Sequence, residues 1–134
     1  SFLLQRLEVF EGCAILTTNL QENIDEAFLR RFGAVIEFPM PTALQRRALW
    51  SRAIPDGAPK SDDLDIDELS QNFILAGGNI VSSAINACII AATRGESVGQ
   101  RHVVEAIARE LIKMGKQVSR VHFGEYYEFV RDLD

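Results

Sequence analysis

Residues 14–38 read AILTTNLQENIDEAFLRRFGAVIEF, and the rest of the chain is interpreted from this stretch. Two largely apolar runs, at residues 13–17 and 34–38, frame it. Such runs fit strands that are buried on both faces, as parallel strands are. Asn19 follows the first run directly, so we expect a polar side chain at the carboxyl end of a buried strand.

A short helix is predicted between the two runs. Asn23 offers an N-cap side chain and Glu26 can bond back to the amide of the cap, so the helix should begin near Ile24. It should end at the glycine at position 33. Its last turn carries Arg30 and Arg31. Cations there either compensate the helix dipole or neutralise a bound phosphate, and the residues alone leave both interpretations open.

Three segments resemble, in order and spacing, the second half of an AAA+ ATPase module: TTNL at 17–20, IDEAFLRRF at 24–32 and EFP at 37–39. The second segment is most similar to bacterial members of that family. The resemblance implies that Asn19 is sensor 1, which orients the attacking water and touches the terminal phosphate, with Thr18 beside it in contact with the nucleotide. An ordinary turn after a strand is the alternative interpretation of this pair.

The resemblance also implies an arginine finger at Arg31, with Arg30 next to it, reaching the nucleotide of a neighbouring subunit in a ring. A guanidinium there would neutralise charge on the transferred phosphoryl group. Many members of the family carry a further arginine where this chain has Ala34. The finger assignment therefore depends on the one pair.

The sequence contains no Gly-x-x-x-x-Gly-Lys-Ser/Thr motif, and Asp25 and Glu26 fall in a predicted helix instead of at the end of a strand. The resemblance implies that the phosphate loop and the acidic magnesium-binding strand lie upstream, in a longer parent protein. We therefore expect ATP with Mg²⁺ as the parent's cofactors and expect this chain alone to bind and hydrolyse no ATP. Without the strand that lies between them in the family, residues 13–17 and 34–38 should pair with another copy or with each other, since unpaired buried backbone is costly.

From residue 42 onward only helices are predicted. Thr42 and Gln45 form a capping box for a helix to about Ile54, and Asp65 caps a short helix that ends near Phe73. A long helix rich in small residues follows and stops at the glycine at position 95. Its expected inward residues are Val81, Ala84, Ile85, Cys88 and Ala91.

Two more helices complete the predicted array. One runs from about Gln100 to Met114 with Val103, Ile107, Leu111 and Met114 inward, and the other from His122 to Leu133. The second should be amphipathic and should expose much aromatic surface. Together the helices of 42–134 resemble the AAA+ lid.

Gly77, Gly78 and Ile80 fall where the family has its sensor 2 turn, which implies a nucleotide-binding role for them. Glycine lets backbone approach adenine and ribose closely, and a helix amino terminus offers free amides. Paired glycines that merely begin a tightly packed helix are the alternative interpretation. The arginine that many relatives carry just after this motif is missing, since Val81, Ser82 and Ser83 stand in its place.

Composition excludes several classes. The net charge of −5 and the absence of a basic stripe disfavour nucleic acid as a partner. No apolar run approaches the length of about 20 residues that spans a bilayer. Cys13 and Cys88 lack metal-ligand spacing and should be buried, reduced thiols of a cytoplasmic protein. His102 and His122 have no ligand spacing either and should lie on the surface, so no metal site is predicted.

The sequence therefore predicts a mainly α fold with two domains. Residues 1–41 would be the carboxyl-terminal remnant of a P-loop α/β domain with two parallel-type strands, and 42–134 the helical lid. The function implied by the resemblance is that of an AAA+ ATPase which couples ATP hydrolysis to remodelling of a protein partner. The alternative is a non-catalytic helical docking module with a degenerate nucleotide site, whose aromatic last helix binds a partner.

Overall fold

The computed structural model describes residues 5–7, 9–19 and 24–133, and it divides the chain into two compact units, Ser1–Phe38 and Pro39–Asp134. The predicted mainly helical fold is confirmed. No helix of the described residues is both long enough and apolar enough to span a membrane.

In the first unit, residues 5–7 are helical and the short helix α1 spans Glu26–Leu29. Asp25 is its N-cap, because the Asp25 carboxylate accepts a hydrogen bond of 2.9 Å from the amide of Ala27. The helix therefore begins later than the predicted start near Ile24. The predicted cap, Asn23, lies outside the described residues.

The two predicted strands are not formed. Residues 13–17 and 34–38 have no strand structure, and their side chains are exposed, with Ile15 at 87% and Phe38 at 90%. A strand exists only through hydrogen bonds with a neighbouring strand, and these runs form none with each other. Their predicted burial and their pairing with each other are therefore wrong, and so is the predicted burial of Cys13, which is exposed. Pairing with another copy stays a prediction.

The second unit is an array of helices. The longer ones are α2 (Ala43–Ala53), α3 (Ile66–Asn72), α4 (Gly77–Arg94) and α5 (Gln100–Lys113). The carboxyl-terminal part consists of α6 (Arg120–Phe123), a 3₁₀ turn (Gly124–Tyr126), α7 (Tyr127–Val130) and a second 3₁₀ turn (Arg131–Leu133).

Local signals fix the ends of these helices. The predicted capping box of α2 is present: the Thr42 hydroxyl accepts from the Gln45 amide at 3.3 Å, and the Gln45 side chain accepts from the Thr42 amide at 2.9 Å. Asp65 caps α3 by accepting from the amide of Glu68 at 2.9 Å. Gly95 ends α4 in the left-handed region with φ of 69°.

The core lies inside the second unit. Helix α4 packs between α2 and α5, while α3 packs on α2. Backbone hydrogen bonds from Ser61 to Val98 and from Val98 to Pro59, at 2.9 and 2.8 Å, join the loops that precede α3 and α5. The largest fully buried side chains are Trp50, Ile54, Leu69, Ile80, Val103, Val104, Ile107 and Val130.

The inward face of α4 agrees with the prediction at Ala84 and Ala91 and differs from it at Val81 and Ile85. Ile80, Ala84, Ala87 and Ala91 are buried, whereas Val81 and Ile85 are 42% and 50% exposed. Relative to the prediction, the buried face of α4 is shifted by about one residue. A face of alanines lets α5 approach more closely than a face of branched side chains would.

The single last helix predicted from His122 to Leu133 is also wrong. Gly124 takes a φ of 51° and ends α6, which breaks the segment into short turns. Phe123 and Val130 are buried, and the ring of Phe123 lies 5.4 Å from that of Phe73. The segment therefore closes the core instead of exposing its aromatic surface. Met114, predicted to face inward, is 43% exposed.

Candidate functional site

Thr18 and Asn19 lie at the end of the first apolar run, and both side chains are exposed. Asn19 occupies a bend. The side-chain amide of Asn19 is thus accessible from solvent. A residue that senses bound phosphate must be accessible in this way.

The two arginines at the end of α1 have different surroundings. Arg30 is the C-cap residue, and its guanidinium donates to the Glu26 carboxylate at 2.9 Å in an exposed i,i+4 pair. Arg31 is exposed and lines a cavity of about 390 Å³ together with Phe28 and Phe32, whose ring centroids are 5.1 Å apart. Arg31 thus lines the same cavity as two aromatic rings, whereas Arg30 forms an ion pair within its own helix.

Gly77 and Gly78 form the first turn of α4. A Cβ at Gly78 would meet no atom within 4 Å, and a Cβ at Gly77 would make an ordinary contact of 3.6 Å with Leu49. Packing inside the chain therefore does not require either glycine, and the backbone of Gly78 is accessible to a ligand. Ile80 is fully buried, so its side chain belongs to the core.

Sequence reasoning missed a buried carboxylate next to this turn. Glu110 of α5 is 4% exposed and accepts hydrogen bonds from Asn79 at 3.0 Å and Ser82 at 2.9 Å. Lys113 completes the set with an ion pair of 2.6 Å. Only the i,i+3 pair of Glu110 and Lys113 was visible in the sequence, because Asn79 and Ser82 are brought close by the packing of α4 on α5.

Burial raises the pKa of the Glu110 carboxyl, but its hydrogen bonds and the charge of Lys113 outweigh burial and leave that pKa below its ordinary value. Glu110 is therefore ionised at neutral pH.

The other end of α4 is bound to α5 by Glu105. This buried carboxylate pairs with Arg94 and with Arg109, at 2.9 Å in each case. Arg94 is the last residue of α4, so Glu105 links the carboxyl end of α4 to α5, as Glu110 links the amino end.

The predicted surface position of His102 is wrong, since His102 is 7% exposed. Its Nδ1 accepts from the Gly99 amide at 3.0 Å, and its Nε2 lies 2.8 Å from the Glu96 carboxylate. The ring thereby caps the start of α5, a role that no pattern in the sequence indicated.

A second cavity, of about 530 Å³, lies beside this cap. Arg101 and Phe129 line it, with the guanidinium 5.2 Å from the ring centroid. Its walls also carry Asp63, Glu96 and Arg94, so it has charges of both signs. No group of three or more His, Cys, Asp or Glu side chains suited to a metal occurs within the part of the chain that the structure describes.

Comparison with known proteins finds a distant relative. Meiotic spindle formation protein mei-1 of Caenorhabditis elegans is 29% identical over 105 residues, which cover 74% of this chain and 22% of that protein. The chain thus spans less than a quarter of the relative's length. No family model matches. The similarity supports a general relationship to the AAA+ ATPases.

Proposed function

We propose that this chain is the carboxyl-terminal part of an AAA+ ATPase module, in a longer protein that assembles as a ring and remodels a protein partner. The observation that carries the proposal is the exposed Arg31, which directly follows the C-cap residue of α1 at the family's spacing from the exposed Asn19. The general AAA+ relationship supports it.

ATP with Mg²⁺ would supply the phosphoryl group and part of its charge neutralisation. Asn19 would orient the attacking water, with Thr18 beside it. Arg31 would stabilise charge on the phosphoryl group of a neighbouring subunit, while Arg30 holds the last turn of α1 through Glu26.

In the second unit, the open backbone at Gly77 and Gly78 fits contact with adenosine. Ile80 would act from the core by fixing the position of that turn. The cytoplasm is the compartment we propose, because it supplies ATP and keeps thiols such as Cys13 and Cys88 reduced.

Arg31→Ala in the longer protein tests the finger. We expect ATP hydrolysis to fall by about 10³-fold, because that is the order of the effect of a finger arginine on turnover. Binding of a fluorescent ATP analogue should remain within about twofold, since the finger acts on a neighbouring site.

Arg52→Ala is the matched control, since Arg52 is an exposed helical arginine of the second unit that the proposal does not use. It should leave hydrolysis unchanged. Arg31→Ala that hydrolyses ATP at the normal rate would refute the finger.

An exposed apolar stripe favours a second candidate, the non-catalytic docking module. Val81, Ile85 and Ile89 follow one face of α4 and are 42%, 50% and 57% exposed. This stripe would replace the aromatic last helix as the docking surface, because Phe123 and Val130 are buried. Unchanged hydrolysis in Arg31→Ala together with loss of partner binding in Ile85→Asp would support this candidate.

A further inference from the structure

We propose that Glu110 is a positioning residue that holds the first turn of α4 in place from the neighbouring helix. The inference rests on the proposed function only where it links this turn to nucleotide.

The first turn of α4 has little stabilisation of its own. Ala76 is its N-cap residue and provides no side-chain hydrogen bond, and the first turn contains no acidic residue. The first two helical residues, Gly77 and Gly78, are glycines, which are among the poorest helix formers. Something outside the helix must therefore order this turn.

The contacts of Glu110 supply that order. One carboxylate oxygen accepts from Asn79 at 3.0 Å and the other from Ser82 at 2.9 Å, so both oxygens bind the first two turns of α4. The Asn79 amide also lies 3.2 Å from the sulfur of Met114, a second residue at the end of α5. Two side chains of α4 are thus held by one end of α5.

The charge of Glu110 matters as well as its shape. An ionised carboxylate accepts at both oxygens and forms stronger hydrogen bonds than a neutral amide does. A glutamine at this position can accept from Asn79 and donate to the hydroxyl of Ser82, but both contacts lose the negative charge and the ion pair with Lys113 is lost. Glu110→Gln therefore weakens the tether at nearly constant volume.

The link to function follows from the position of the turn. If Gly78 contacts the adenosine as proposed, a first turn that is disordered must be ordered when nucleotide binds. That ordering would weaken affinity while leaving the chemical step unchanged.

Glu110→Gln in the longer protein is tested by hydrogen–deuterium exchange over residues 77–82 and by titration with mant-ADP. We expect exchange to be about tenfold faster and the Kd to rise about fivefold, in keeping with the loss of charge assistance at two hydrogen bonds. The kcat at saturating ATP should stay within about twofold of the wild-type value, with the change confined to KM.

Glu105→Gln is the matched control, because Glu105 is equally buried on the same helix but binds Arg94 at the other end of α4. It should destabilise the protein without changing exchange at 77–82 or the Kd. Equal exchange and equal Kd in the two variants would overturn the inference.

Further outcomes separate the inference from the proposed function. If exchange is faster in Glu110→Gln but the wild-type protein does not bind mant-ADP, the structural role of Glu110 is supported and the nucleotide role of the turn is refuted. If Glu110→Gln does not fold, Ser82→Ala removes a single donor to the carboxylate. Exchange at 77–82 should then rise about threefold, as for one lost hydrogen bond, and wild-type exchange would overturn the tether.

Discussion

Glu105 and Glu110 connect α5 to opposite ends of α4, and each is a carboxylate that water no longer solvates. Glu105 is compensated by two arginines and Glu110 by a lysine and two neutral donors. The carboxylates are buried while their cationic partners are 45%, 53% and 62% exposed, so these contacts are screened by solvent less than a fully exposed pair is. We therefore expect these two residues to dominate the electrostatic stability of the second unit.

Glu110 should make stability depend on pH in the acid range. Its pKa is lowered in the folded protein, so its contribution is present above the ordinary glutamate value of about 4.5 and is lost as the pH falls through the lower folded value. Urea unfolding of the chain between pH 3 and 7 measures this. Glu110→Gln should lower the free energy of unfolding by about 2 kcal/mol at pH 7. It should also reduce the decrease in that free energy between pH 5 and pH 3. An unchanged decrease would show that other carboxyl groups cause the acid dependence.

The role of His102 depends on which of its two ring nitrogens carries the proton. Because Nδ1 accepts from the Gly99 amide, Nε2 must carry the proton and donate to Glu96. His102→Ala should lower the free energy of unfolding by about 1–2 kcal/mol, as loss of a helix cap does. His122→Ala is the control: this ring is exposed, so we expect a change within about 0.5 kcal/mol. Equal losses in the two variants would contradict the capping role.

At the scale of elements, what the sequence predicted well is what local chemistry determines. The capping box at Thr42, the cap at Asp65 and the span of α5 follow from residues within one or two turns, and all are present. In the same way, the glycine at position 124 is a local feature that accounts for the break in the last helix.

What the sequence did not predict depends on residues far apart in the chain. Residues 13–17 and 34–38 have strand composition, but strand formation requires a hydrogen-bonded neighbour that composition cannot supply. The same holds for Glu110, whose partners Asn79 and Ser82 come from another helix. Exposure of Asn19, Arg31 and Gly78 agrees with accessible site residues, but their roles stay proposals.

The rotation of α4 has a direct test, because two periodic patterns compete in its sequence. Ala84 is fully buried, while its neighbour Ile85 is 50% exposed. Ala84→Leu should overpack the contact with α5 and cost about 1–3 kcal/mol. Ile85→Gln should change stability by less than about 0.5 kcal/mol. Thermal unfolding of both variants checks this. Since Ala84 is inward on both faces, a loss of more than about 1 kcal/mol in Ile85→Gln would favour the inward position that the sequence predicted for Ile85.

At the scale of the whole molecule, the buried side chains are unevenly distributed. Among the described residues, every side chain of the hydrophobic core lies between Trp50 and Val130, in the second unit. The buried Arg46 adds to this unit, since it donates to the carbonyls of Pro41 and Ser70 at 2.6 and 2.9 Å. The second unit therefore contains its own core and the hydrogen bonds that hold its amino-terminal residues.

This distribution predicts that a fragment of residues 39–134 folds by itself. We expect a helical circular dichroism spectrum and one cooperative thermal transition, because the fragment keeps the core, the cap at Thr42 and the carbonyl of Pro41. A fragment of residues 43–134 is the matched comparison. It loses that cap and that carbonyl, so its free energy of unfolding should be lower by about 1–2 kcal/mol. A molten 39–134 fragment, or equal stability of the two fragments, would show that the unit is not ordered by the contacts described for it.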